Sequence, residues 1–161
     1  MISQRLLCAG LALGLMAAAA ASAEPVKVNG FTHVKSLDGI DEYRLDANGL
    51  SVLLLPNHAA PVVTFQMTYR VGSRNEVTGT TGGTHLLEHL MFMGSTNFDG
   101  ENNVDTYLDR VGAGFNATTS LDRTNYYATL PPAALDGYIA IEADRMRGLL
   151  LREKDRQSEM T

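Results

Sequence analysis

The stretch Gly82–Gly94 reads GGTHLLEHLMFMG, and its leucines and methionines recur at helical spacing. This periodicity predicts a short, mostly buried helix over residues 85–93. Thr81 or Thr84 is placed to cap its start, because a threonine oxygen can accept a hydrogen bond from the first free amides. Gly94 is placed to end it. The three glycines of residues 79–83 exclude regular structure before the cap.

The predicted helix carries the strongest chemical signal in the chain, the pattern His85-x-x-Glu88-His89. At 100° per residue the two histidines lie about 40° apart, with Glu88 about 60° to the other side of His85. Two imidazoles one turn apart can bind the same zinc ion, and a neighbouring carboxylate can accept a proton from an attacking water. The alternative is a polar surface pair with Glu88 as its ionic partner. Two of the four histidines fall within these five residues, which favours the metal site.

Upstream of this helix the pattern predicts strands. Residues 42–45 and 50–55 form a hairpin around Asn48-Gly49, a dipeptide typical of tight turns. Residues 61–71 are rich in β-branched and aromatic side chains and predict a strand that crosses a sheet.

Downstream the pattern predicts a helix over residues 104–111, then two short strands within residues 115–130. Pro131-Pro132 opens a last helix of about 20 residues with one apolar stripe. The tail, residues 152–161, is charged and helix-compatible. The stripe comprises Leu135, Tyr138, Ile139, Met146, Leu149 and Leu150.

Residues 1–23 have the pattern of a secretory signal peptide. Arg5 precedes an apolar stretch, and Ala21-Ser22-Ala23 is a small-residue cleavage site, so the mature chain is expected to begin at Glu24. A membrane anchor is the alternative, although the alanine-rich second half of the stretch inserts weakly. No stable anchor is therefore expected.

The amino-acid composition limits which side chains could bind a metal and which partners the chain could have. Cys8, the single cysteine, lies in the predicted signal, so a metal site in the mature chain must use histidine and carboxylate ligands. A mature chain without cysteine is compatible with an oxidising compartment. The net charge of −5 and the lack of a basic run argue against a nucleic-acid partner.

Three segments, in order, resemble the pitrilysin (insulinase, mitochondrial processing peptidase) family of zinc metallopeptidases. They are residues 82–95, residues 115–120 continuing through Tyr126-Tyr127, and residues 141–146. The resemblance covers residues 45–161. It implies an α+β fold, in which an antiparallel-rich sheet carries helices on one face, as in the N-terminal part of a pitrilysin-type domain. Residues 24–161 would then be a portion of a peptidase domain, truncated at its C-terminal end.

The resemblance also implies roles for individual residues. His85 and His89 would be ligands of one zinc ion and Glu88 the general base, with a third ligand, a glutamate, expected beyond Thr161. Glu159 would support the site without binding the ion, and a plain surface glutamate is the alternative. Asn116 and Ala117 would bind substrate on an edge strand; alternatively, Asn116 only begins a strand.

The implied function is zinc-dependent cleavage of peptide bonds in extended or unfolded polypeptides, in the periplasm or outside the cell. Further homologous domains or a partner subunit are expected, and this chain by itself should have little or no activity. One alternative is a non-catalytic peptide-binding subunit of the same family. Another is zinc storage, which predicts histidine-rich loops that the sequence lacks. The ligand types also allow manganese, cobalt or iron.

The remaining notable residues have structural interpretations. His33 and His58 are expected in loops outside the site. Tyr126 and Tyr127 are expected on a strand, one facing the core and the other facing outward. Residues 91–93 are expected to pack in the core, whereas Asp144, Arg145 and Arg147 are expected to form helix-surface or interhelical pairs.

Overall fold

A computed structural model describes residues 24–160 of the chain. The predicted signal segment, residues 1–23, lies outside the described residues. The chain divides into two compact units between Asn57 and His58. Within residues 24–160, no helix has both the length and the apolar composition needed to cross a membrane.

The first unit is a three-stranded antiparallel meander. Its strands are β1 (Phe31–Leu37), β2 (Ile40–Leu45) and β3 (Ser51–Leu54). The predicted hairpin of residues 42–55 is confirmed as β2 and β3, and Gly49 in its turn has a φ of +77°.

Strand β1 was not predicted, and it corrects the expectation that His33 lies in a loop. Asp38 and Gly39, the two residues between β1 and β2, have positive φ values of 50° and 82°. Asp-Gly favours such two-residue hairpin turns, so this dipeptide was the missed signal. His58 does lie in an irregular segment, as expected.

The second unit contains a three-stranded antiparallel sheet with strand order β4-β6-β5, together with α-helices packed against it. The strand, helix, helix, hairpin and helix predicted for this region appear in that order, which confirms the α+β class. The elements are β4 (Val63–Tyr69), α1 (Gly83–Leu90), α2 (Val104–Arg110), β5 (Gly114–Thr119), β6 (Thr124–Leu130), α3 (Leu135–Gly148) and α4 (Glu153–Glu159).

The core of the second unit lies between β6 and the helices α2 and α3. Alternate residues of β6 face it, so Tyr126 is buried while Tyr127 is only partly buried, as expected from the strand period. A smaller apolar cluster joins α1 to the sheet through Met91, Ala117 and Tyr126. The main cluster contains Val104, Leu108, Ala128, Leu130, Ala134, Tyr138 and Ile141.

Helix α3 ends earlier than the sequence predicted. It stops at Gly148, and Leu149 is extended with a ψ of 130° and forms an isolated bridge with Ser95. A Cβ on Gly148 would lie 2.6 Å from Thr96 Oγ1, so the two segments approach closely only because this residue is glycine. Leu149 and Leu150, which suggested a continuous helix, instead pair with Ser95 and Gly94 in the segment after α1. Helix α4 begins separately at Glu153.

The buried face of α3 also differs from the predicted stripe. Ile139 and Met146 are 43% and 44% exposed, whereas Glu142 and Arg145 are buried. Arg145 therefore does not form the helix-surface or interhelical ion pair that was expected; it forms an internal ion pair with Glu142 of the same helix. Asp144 binds a loop residue, accepting hydrogen bonds from the backbone and side-chain amides of Asn97. Tyr138 of the predicted stripe is buried, but the stripe is wrong at Ile139 and Met146 because periodicity alone cannot distinguish a charged core position from a solvent-exposed one.

Candidate metal centre

Helix α1 brings His85, Glu88 and His89 together as the spacing predicted. One potential ligand atom from each of the three side chains lies within 4.8 Å of the others. The two Nε2 atoms of the histidines are 3.3 Å apart. Both histidines are exposed, while Glu88 is buried. The helix thus presents two imidazoles to solvent and directs the carboxylate inward.

The spacing of the two imidazoles fits a single zinc ion. A tetrahedron with zinc–nitrogen bonds of about 2.0–2.1 Å has edges of about 3.3–3.4 Å. The observed separation between the Nε2 atoms of His85 and His89 matches that edge. Their side chains could therefore hold one zinc ion without a change in the backbone of α1.

Glu88 is held by a residue of the sheet. Thr119, at the end of β5, donates a hydrogen bond from its hydroxyl to Glu88 Oε2. This contact fixes one carboxylate oxygen. Sequence reasoning missed Thr119 because two residues 31 positions apart meet only after the hairpin has packed against α1.

Glu159 of α4 lies against His89. Its Oε2 is 2.8 Å from His89 Nδ1, and because a carboxylate only accepts, Nδ1 carries the hydrogen. In the neutral imidazole with the hydrogen on Nδ1, the lone pair is on Nε2, the atom that faces His85. The position agrees with the predicted supporting role of Glu159, which stays a proposal.

The two histidines open onto a cavity of about 490 Å³. Its wall combines the start of α1 with the end of α4. Lining residues include Gly82, His85, His89, Arg156 and Glu159. The candidate ligands therefore face a space large enough for part of a peptide.

The start of α1 differs from the prediction. Neither Thr81 nor Thr84 is the N-cap; that position is Gly82, whose φ of +87° is left-handed. Gly82 has no side chain to accept the free amides, and the carboxylate of Glu76 does so instead. The hydrogen bonds that the backbone amides of Thr84 and Gly82 donate hold the pKa of Glu76 below its usual value.

The C-terminal end of α1 contacts Arg145 of α3. The guanidinium binds both carboxylate oxygens of Glu142 and lies 4.5 Å from the centre of the Tyr126 ring. Its Nη1 also donates to the carbonyl of Met91, at 3.5 Å. The buried guanidinium of Arg145 thus contacts the backbone carbonyl of Met91, the residue after the end of α1.

Asn116 and Ala117 lie on β5, an outer strand of the described three-stranded sheet. Asn116 is exposed and Ala117 is buried. The Asn116 side-chain oxygen accepts from the backbone amide of Ala117 at 2.8 Å. Because β5 also carries Thr119, this strand contacts the acid of the candidate centre directly.

Comparison with known proteins agrees with this geometry. The family profile described as Insulinase (Peptidase family M16) matches residues 51–161. The chain belongs to this family. The matched region contains the whole candidate centre, every element of the second unit and strand β3 of the first unit.

Individual relatives support the family assignment. Zinc protease PqqE of Helicobacter pylori is 38% identical over 110 residues, which are 67% of this chain and 24% of that protein. The crystal structure of pitrilysin superposes with a TM-score of 0.69 at 29% identity, covering 81% of this chain and 15% of that one. The periplasmic protease PqqL from Escherichia coli gives a TM-score of 0.68 at 26% identity, with 77% and 14% covered. This M16 chain thus spans about a quarter of these relatives or less.

Proposed function

We propose that this M16 chain is the metal-binding part of an exported zinc endopeptidase that cleaves extended or unfolded polypeptides. The observation that carries the proposal is the pair of Nε2 atoms 3.3 Å apart, with a buried carboxylate one residue away. Zinc is the ion named for the relative PqqE, and the donor set suits it.

The chain's own residues have distinct tasks in this proposal. His85 and His89 hold the ion, and Glu159 orients the ring of His89. When bound, zinc supplies Lewis acidity, which polarises carbonyls and lowers the pKa of water. Glu88 accepts the proton of the attacking water and returns it to the leaving amine.

Strand β5 is the proposed place for the substrate. An extended peptide can add to an outer strand through backbone hydrogen bonds, which tolerate many sequences. The Ala117 amide is the proposed donor to a substrate carbonyl, and the Asn116 side-chain oxygen that caps it in this structure would move aside. The amide group of Asn116 would then be available to bind the substrate near the ion.

The proposal includes features outside residues 24–160. A third ligand is expected beyond Thr161, and further homologous domains or a partner subunit would enclose the substrate. Export is supported by the signal pattern of residues 1–23 and by likeness to a structure described as a periplasmic protease.

Zinc titration tests the centre itself. The chain should bind one zinc ion. Glu159→Gln removes only the group that orients a ligand, a loss that costs about 10–100-fold in affinity. His89→Ala removes a proposed ligand itself, so it should weaken zinc binding more. Competition with a chromogenic chelator measures both. Equal affinity of His89→Ala and the parent chain would refute the site.

Chelator-sensitive cleavage of an unstructured peptide by the intact protein tests the activity. Loss of cleavage with a chelator and its return with added zinc would support the endopeptidase. If the intact protein is instead a non-catalytic partner subunit, it should bind zinc but cleave no peptide.

Thr119→Val tests the hydroxyl that holds Glu88. A hydrogen bond to a charged group contributes about 1.5–3 kcal/mol, so kcat of the intact protein should fall about tenfold or more if that energy is used to orient the base. KM and zinc content should stay unchanged, and Thr119→Ser should retain activity because it keeps the hydroxyl. A Val variant with the parent kcat would show that Glu88 needs no donor.

A further inference from the structure

We propose that Glu76 is a positioning residue for the zinc ligands, because its carboxylate fixes the start of α1 and hence the place of His85. The proposal rests on the metal-binding role given above to His85 and His89. It assigns a function to an acidic side chain that neither binds the ion nor faces the cavity of about 490 Å³ that the two histidines line.

The carboxylate of Glu76 spans the first turn of α1. Its Oε2 accepts from the Gly82 amide and its Oε1 accepts from the Thr84 amide, each at 2.9 Å. The first amides of a helix have no partner within the helix, and their partial positive charge favours an anion. Thr84 immediately precedes His85, so the second bond fixes the backbone one residue from a candidate ligand.

The backbone that carries Glu76 is itself fastened to the sheet. The amides of Ser73 and Arg74 donate to the carbonyls of Ser120 and Leu121, at 3.0 and 2.7 Å. A Cβ on Gly72 would lie 2.3 Å from the Ser120 carbonyl oxygen, so this close approach requires glycine. Glu76 therefore connects the start of α1 to the β5–β6 turn.

The same hairpin also holds Glu88 through Thr119. Two contacts, one at the start of α1 and one at its buried face, thus connect the helix to a single element, the β5–β6 hairpin. The Glu76 contact is at the first turn of α1, next to His85, whereas the Thr119 contact is at Glu88. Loss of the carboxylate would release the first turn while Thr119 still holds the following one.

Glu76→Gln is the direct test in the full chain. An amide can accept at only one of the two positions and places its own N–H groups against the other. We expect zinc affinity to fall about tenfold, within the about 10–100-fold range for residues that orient ligands. The imidazole ¹⁵N shifts of His85 should also change in the metal-free chain, a readout that needs no activity.

Asn103→Ala provides a matched control. It removes the N-cap of α2, where Asn103 Oδ1 accepts from the Thr106 amide at 2.9 Å, and so causes the same kind of cap loss away from the centre. This variant should keep the parent zinc affinity and the parent His85 shifts. If both variants lose affinity equally, Glu76 is a general stabiliser and the proposal is wrong.

Glu76→Asp keeps the charge on a side chain that is one methylene shorter. It is the variant to measure if Glu76→Gln does not fold. It can reach only one of the two amides, so its zinc affinity should also fall. Parent affinity in a folded Glu76 variant overturns the inference. A parent chain that binds no zinc overturns the proposed metal centre instead, so the two failures are distinguishable.

Discussion

Glu88→Gln is expected to abolish measurable peptide hydrolysis by the intact protein while leaving its zinc content near normal. The amide keeps the shape of the side chain and can still accept the hydroxyl of Thr119. It cannot take a proton from water, and loss of a general base costs about 10²–10⁴-fold in rate. Turnover of an unstructured fluorogenic peptide and zinc determination on the same samples measure the two effects.

Glu101→Gln is the matched control for this experiment. Glu101 is an exposed glutamate in a short 3₁₀ helix and does not line the cavity at the two histidines, so its amide variant should retain the parent rate. Parent turnover in Glu88→Gln would contradict the assignment of Glu88 as the base. Joint loss of zinc and turnover would place Glu88 among the ligands instead.

Arg145→Met should lower the free energy of unfolding by about 3–5 kcal/mol. The side chains of Arg145 and Glu142 are only 2% and 1% exposed, so removing the guanidinium leaves a buried carboxylate without its ionic partner. The cation also loses its contact with the Tyr126 ring, at 4.5 Å. Urea unfolding followed by circular dichroism measures the change.

Two further variants show that the cost comes from the unpaired carboxylate. Arg147→Met, at an exposed position on the same helix, should change the unfolding free energy by no more than about 0.5 kcal/mol. The double variant Glu142→Leu with Arg145→Met should recover much of the loss, because replacing a whole buried ion pair with apolar groups is often neutral. Equal effects of Arg145→Met and Arg147→Met would refute the internal pair.

The sequence predicted those features that depend on near neighbours. The spacing of His85, Glu88 and His89 sufficed to place all three on one helix, and Asn48-Gly49 marked the β2–β3 hairpin, whereas the Asp38-Gly39 turn between β1 and β2 was missed. The fold class followed from the order of these elements and from the resemblance.

Other features depend on pairs distant in the chain, which no local pattern reports. Thr119 and Glu88 are 31 positions apart and meet only after the sheet has formed. Arg145 was expected in a helix-surface or interhelical pair, since charged residues are mostly exposed, and no local pattern reports its burial beside Glu142. The end of α3 at Gly148 follows from pairing of Leu149 with Ser95, a contact that helix periodicity cannot anticipate.

The eight-residue length of α1 decides when the two proposed zinc ligands come together. So short a helix is marginal in isolation, and the residues that hold it come from as far away as Glu159, 70 positions after His89. In the unfolded chain the two imidazoles are therefore not held one helical turn apart. If His85 and His89 hold the proposed ion, metal binding would follow folding of this region, and zinc content would then measure how much of the chain has folded.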